Sequence, residues 1–149
     1  MPDATLITNL LYRYAELMDL GDFAGAARLF DHARIKIGVG DGGYVDSAGI
    51  QKLWEDGVMR YEDGTPRTKH VTTNAIVEFS ADGTKARARS YYTVFQQVEG
   101  TPMQPIVGGR YHDHFEHVGG RWRFTQRRFF VDLVGDVSRH QREALRDQA

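Results

Sequence analysis

The chain contains no cysteine. A disulfide framework, a thiolate nucleophile and a cysteine-ligated zinc site are therefore excluded. An excess of either charge is missing too: 19 lysines and arginines stand against 20 aspartates and glutamates, a formal net charge of -1. A nucleic-acid-binding surface would carry a clear basic surplus, so that class is set aside. No apolar run approaches the ~18 residues of a membrane span, and the start, Met1-Pro2-Asp3, has neither the basic segment nor the apolar middle of a signal peptide. The expectation is a cytoplasmic protein without nucleic-acid or membrane partners. The Gly-x-Ser-x-Gly elbow of a serine hydrolase is absent. Gly108-Gly109 is followed by no helix start, which a phosphate loop needs. No internal repeat, low-complexity tract or linker interrupts the chain.

What is present is an ordinary globular balance, 41% hydrophobic and 26% charged over 149 residues, read as one domain able to bury ~70% of its unfolded surface. Its core is expected over about residues 5–133, with a polar tail at 134–149. Leu6, Ile7, Leu10, Leu11, Tyr14, Leu17 and Met18 recur at three- and four-residue spacing, the stripe of an amphipathic helix. Gly21 stops it, and Asp22 can cap a second helix carrying Phe23, Ala26, Ala27 and Phe30. Arg34 to Val39 reads as a short strand before the turn Asp41-Gly42-Gly43. Ser47 caps a third helix with Ile50, Leu53, Trp54 and Tyr61 on one side, broken at Asp63-Gly64-Thr65-Pro66.

Beyond that break the chain turns to Val, Ile, Thr, Tyr and Phe. Arg67–Phe79, Thr84–Val98, Pro105–Val118 and Arg121–Leu133 predict four antiparallel strands, separated by Ala81-Asp82-Gly83, Glu99-Gly100 and Gly119-Gly120. The tail from Val137 to Gln148 reads as helical or frayed. Helices first and sheet afterwards define an α+β fold. A curved antiparallel sheet closed on one face by N-terminal helices makes a cone around a cavity, the kind of concavity that binds small hydrophobic molecules.

Two polar residues stand where apolar ones are expected: Asp19 ends the first helical stripe, and His70 opens a strand. A carboxylate on Nδ1 of an imidazole leaves Nε2 free as a base and stabilises the imidazolium that forms. The competing reading of Asp19 is a helix-boundary cap, and that of His70 a structural or surface histidine. Arg127 and Arg128 are adjacent on the last strand, so regular alternation lets only one enter the cone, where a guanidinium would hold a developing anion; the competing reading is that both are solvated edge charges. His112 and His114 share a strand face but are too few for a metal site, and none is expected. Trp54, Tyr91 and Tyr92 suit either core or pocket wall.

In their order, Leu11-Tyr12-Arg13-Tyr14-Ala15, Met18-Asp19-Leu20-Gly21-Asp22-Phe23, Thr68-Lys69-His70, Val107-Gly108-Gly109-Arg110-Tyr111 and Gly120-Arg121-Trp122-Arg123-Phe124 resemble the SnoaL-like branch of the cone-shaped superfamily named after nuclear transport factor 2. The resemblance covers Leu10 to about Asp132. Within that superfamily the layout is similar to scytalone dehydratase, hexachlorocyclohexane dehydrochlorinase and bile acid 7α-dehydratase. Each pairs a helix-end aspartate with a strand histidine, matching Asp19 and His70. The resemblance implies a polar helix residue at Tyr14. It also implies a last-strand arginine, at Arg127 by ungapped counting from Trp122, whereas alternation favours Arg128. Scytalone dehydratase has a second histidine near the position of Gln96, and its serine and asparagine fall on Gly109 and Tyr111, so that substrate is not implied.

The expected catalytic set is Asp19, His70, Tyr14 and Arg127, with Arg128, Trp54, Tyr92 and Tyr111 against the substrate. The implied activity is a lyase of dehydratase type or an isomerase, with a SnoaL-type cyclase as a sub-case. It needs no cofactor and takes a small hydrophobic cyclic substrate of polyketide, steroid or terpenoid type. The alternative is a non-catalytic binding or structural domain of the same fold. Arg87, Arg89, Tyr91, Thr93 and Phe95 on one strand, with Arg110, His112 and His114 on the next, would form an uncovered outer face suited to self-association as a homotrimer or homodimer.

Overall fold

The first helix, α1 (Ala4–Asp19), starts at Asp3, whose side chain accepts from the Thr5 amide at 2.8 Å. One face of α1 buries Ile7, Leu11, Tyr14, Ala15, Leu17 and Met18, while Leu6, of similar spacing, is exposed. The helix ends in a Schellman motif: the Asp22 amide donates to the Leu17 carbonyl and the Gly21 amide to that of Met18, both at 3.0 Å. Gly21 has φ +77°, and a Cβ there would overlap the Gly64 carbonyl oxygen, so backbone and space both demand glycine. This stop leaves Asp19 as the last helical residue. The computed structural model describes residues 2–38 and 42–142. The expected strand end at Val39, the turn residue Asp41 and the tail from Glu143 to Gln148 lie outside them.

Asp22 caps α2 (Phe23–Arg28) through the Gly25 amide at 2.8 Å. The third helix, α3 (Ser47–Gly57), is capped by Asp46 rather than Ser47, through the Gly49 amide at 2.9 Å. It ends at Gly57, so Tyr61 lies beyond it. The strands β1 (Arg34–Ile37), β2 (Thr68–Phe79), β3 (Lys85–Gln96), β4 (Gln104–Val118) and β5 (Arg121–Val134) form one sheet in the order β1-β5-β4-β3-β2. The last four are the expected antiparallel meander, and β1 joins β5 in parallel. Among the described residues no helix is long and apolar enough to cross a membrane.

Four one-residue insertions curl this sheet: in β2 between Thr73 and Ile76, in β4 at Ile106, and in β5 at Thr125 and Asp132. Each bulge bends its strand and raises the local twist, so the unclosed sheet wraps around α1. Each also shifts the in–out alternation by one. In β2 the covered positions are Thr68, His70 and Thr72 before the bulge and Ala75, Val77 and Phe79 after it. In β5 the shift at Thr125 turns Arg127, Phe129 and Val131 inward behind Phe124. Uninterrupted alternation from Trp122 would have turned Arg128 inward; the bulge turns it outward.

The expected tail also needs correction. Residues 137–142 are not helical but turn back across the end of α3, burying His140 and packing Val137 against the core. The Arg142 amide donates to the Gly57 carbonyl at 2.7 Å, and the Met59 amide to the His140 carbonyl at 2.8 Å. Gln96, buried on β3, donates through Nε2 to the carbonyls of Arg139 and Pro66, both at 3.1 Å.

Gly109 marks the tightest approach in the sheet. A Cβ there would overlap the Phe130 carbonyl oxygen and come within 2.7 Å of the Tyr92 hydroxyl, which donates to that same carbonyl at 2.9 Å. At Gly108 the nearest atom would lie at an ordinary 3.6 Å. Gly109→Ala is expected to cost about 2–4 kcal/mol, overpacking plus a lost buried hydrogen bond, and Gly108→Ala less than about 1 kcal/mol. Urea denaturation of the two variants checks this, and equal losses would refute it.

Candidate active site

The Asp19 carboxylate, at the end of α1, meets the first residues of β2. Its Oδ1 accepts from the Thr68 hydroxyl at 2.9 Å and lies 2.6 Å from His70 Nδ1, while its Oδ2 accepts from the His70 amide at 2.8 Å. A carboxylate at a helix C-terminus is disfavoured by the macrodipole, and these three donors offset that cost. Both partners are largely enclosed, with side chains 8% exposed for His70 and 11% for Asp19. An ionised carboxylate only accepts, so the neutral imidazole carries its proton on Nδ1. Nε2 is then the nitrogen left for a ligand. The cap reading of Asp19 is thereby displaced: Asp22, not Asp19, caps α2.

His70 lines a cavity of about 110 Å³. Met18, Ile50, Trp54, Val94, Val107 and Phe129 give it apolar walls, and Tyr14, Tyr92, Tyr111, His140 and Gln141 supply polar groups. Tyr14 sits edge-on to His70, with ring centres 6.2 Å apart, and to Tyr111 at 5.9 Å. Burial raises its hydroxyl pKa above the ordinary tyrosine value, so it stays protonated at neutral pH as a donor. Tyr92 stacks on Tyr111 at 4.4 Å and commits its hydroxyl to Phe130, and burial pushes its pKa up to about 12.

Among the expected site residues, His70, Tyr14, Trp54, Tyr92 and Tyr111 share the cavity wall, with Asp19 directly behind His70. The arginines are placed elsewhere. Arg127 points inward but lies behind the wall, fully buried and forked onto Asp113, Nε to Oδ1 at 2.7 Å and Nη2 to Oδ2 at 3.0 Å. Burial disfavours its cation, but Asp113 and its hydrogen bonds outweigh that and keep the guanidinium charged. It lies 3.9 Å from the Tyr111 ring centre and 4.5 Å from that of Tyr14. Arg128, expected against the substrate, lies on the outer face with its guanidinium 5.0 Å from the Phe130 ring centre. The Thr125 bulge accounts for both placements.

His140 was missed. It reaches the same cavity from the returning tail, is 6% exposed, and its Nδ1 is buried without a hydrogen-bond partner. Burial, and secondarily the neighbouring His70, push its pKa down to about 4. The only signal available was a lone histidine in a polar segment; nothing in that segment's spacing announces that it folds back.

The model of the SnoaL-like domain family matches residues 1–128. The chain belongs to the SnoaL-like domain family. This SnoaL-like protein is similar to several solved structures. One is a nuclear transport factor 2-like protein with a cystatin-like fold from Novosphingobium aromaticivorans, at 24% identity over 96% of this chain and 88% of that one, with a TM-score of 0.68. Another, from the same organism and described as a candidate scytalone dehydratase, shows 20% identity over 89% and 85%, with a TM-score of 0.69. A third, of unknown function from Mycobacterium tuberculosis, shows 22% identity over 87% and 72%, with a TM-score of 0.68. At these identities the likeness establishes the fold. No curated protein matches the sequence.

The buried imidazole of His140 makes the SnoaL-like fold sensitive to acid. Its folded pKa, about 4, lies below the ordinary 6.5 of an unfolded histidine, so the unfolded chain gains the proton first. The stabilisation is whole above pH 6.5 and is lost as pH falls through 4, about 3 kcal/mol in all. Urea denaturation between pH 7 and 4 is expected to show His140→Gln losing about that much less than wild type. Identical pH dependence in both would disprove it.

Proposed function

We propose that this SnoaL-like protein is a cofactor-independent lyase of dehydratase type, or a related isomerase, acting on a small hydrophobic cyclic substrate. The observation that carries this reading is the 2.6 Å contact between Asp19 and His70 at the wall of a mostly apolar cavity. A base needs hydrogen-bond reach to a bound substrate and a partner that fixes its tautomer. His70 Nε2 takes a proton from the carbon beside the leaving group or alpha to a carbonyl. Asp19 holds Nδ1–H and stabilises the imidazolium. Tyr14, kept protonated by burial, donates to the leaving oxygen or the enolate. Arg127 does not reach the substrate in this scheme; through the faces of Tyr14 and Tyr111 its charge favours negative charge building on those rings' oxygens.

The competing reading, a non-catalytic binding or purely structural domain, would be favoured by a cavity filled by Trp54, Tyr92 and Phe95. Trp54 and Tyr92 instead line an open space, and Phe95 is outside it. The test is turnover of cyclic β-hydroxyketones, followed by enone absorbance. His70→Ala is expected to lower kcat/KM by ~10²–10⁴-fold, and Asp19→Asn to lower it substantially by releasing the tautomer. Full activity of His70→Ala on a substrate the wild type turns over would end this mechanism.

Self-association through the outer sheet face, as a homotrimer or homodimer, belongs to the same proposal. No described element covers that face, where Arg87, Arg89 and Tyr91 of β3 are exposed beside His114 of β4. Light scattering at micromolar concentration is expected to report a multiple of 16.9 kDa; a monomer would refute the assembly.

A further inference from the structure

Two imidazoles line the cavity, and the mechanism above uses one. His70 is committed through Nδ1 to Asp19. His140 has no such partner: its Nδ1 is buried and unsatisfied, in a ring otherwise held among apolar walls. An imidazole left without a hydrogen bond at a cavity wall costs about as much as a lost hydrogen bond; Nδ1 is closed off, so Nε2 is the nitrogen left for a partner arriving with the ligand.

The backbone around His140 is held by several hydrogen bonds. Its amide donates to the Val137 carbonyl at 3.0 Å and its carbonyl accepts from Met59 at 2.8 Å. The preceding carbonyl, of Arg139, accepts from Gln96 Nε2 at 3.1 Å and also from the Tyr61 hydroxyl. Gln141 forms an antiparallel bridge with Val58, and the Arg142 amide closes onto Gly57. The strap therefore fixes the imidazole in position before any ligand arrives, as a specificity contact requires.

We propose that His140 is a specificity-determining residue: a neutral imidazole that hydrogen-bonds a hydroxyl or carbonyl oxygen on the bound ring, selecting oxygenated cyclic ligands over hydrocarbon ones. Gln96 is the positioning residue that holds the strap. The proposal rests on the cavity being the substrate site, but not on His70 acting as base. Neutrality matters because an imidazolium beside His70 would oppose the charge that His70 gains as a base, and burial with His70 nearby keeps His140 uncharged at neutral pH.

Phenol and toluene are a near-isosteric pair of probes that differ by the oxygen and cannot be turned over by elimination. In the wild-type protein carrying ¹⁵N-labelled histidine, phenol is expected to shift the ring-nitrogen resonances of His140 and toluene to leave them in place. The phenol-to-toluene affinity ratio is expected to fall about three- to tenfold in His140→Leu, the worth of one hydrogen bond, and to recover in His140→Gln. Phenol that fails to bind, or binds without moving the His140 nitrogens, overturns the proposal, as does an unchanged ratio in His140→Leu. The labelled wild type decides the matter even where His140→Leu does not fold. Failure of the base reading shows separately, as full turnover in His70→Ala with the phenol preference intact.

Discussion

The Asp19 carboxylate joins the helical layer to the sheet at the mouth of the cone. All three of its hydrogen-bond donors come from Thr68 and His70, at the start of β2. Helix end and strand start are thus tied by a group that would be costly to leave unpaired in so enclosed a place. The same contacts that dock α1 orient the imidazole. Gly21, with its left-handed backbone, ends α1 just beyond Asp19.

Below this hub the Arg127–Asp113 pair organises the floor. Its net contribution to stability is small, because desolvating two charges nearly cancels their attraction, yet removing one partner costs about 3–5 kcal/mol. Its value to the site is geometric. The guanidinium faces the rings of Tyr14, Tyr111 and Phe129, at 4.5, 3.9 and 5.2 Å from their centres, and these three residues form part of the cavity wall. A charged plane that cannot shift without breaking its fork holds them in one arrangement.

The solved structures similar to this chain share its fold at 20–24% identity, so most side chains differ. A fold of this kind hosts many activities, and the reaction is set by the few polar groups aimed into the cavity. The polar groups lining the cavity here include His70 held by Asp19, a protonated Tyr14 and a neutral His140. Low-dielectric surroundings strengthen whatever charge interaction each makes with a bound molecule.

The helical stripe of α1, the β-rich second half and the polar anomalies at Asp19 and His70 were all legible in the sequence. Each rests on local rules: a 3.6-residue period, strand propensity, and a charged residue where an apolar one belongs. The pairing of Asp19 with His70 was legible through resemblance, since spacing alone left the cap reading open. The choice between Arg127 and Arg128 was not legible, because one inserted residue at Thr125 reverses the face of everything after it and carries no sequence signature. Nor was His140, whose segment is polar and aperiodic; only the hydrogen bonds it finds on Gly57, Met59 and Gln96 bring it home. The sequence by itself determined the order and kind of the elements, through short-range backbone and patterning energies. The tertiary structure alone decided where the bulges fall, the side each arginine faces and the second imidazole, because these follow from contacts between residues far apart in the chain.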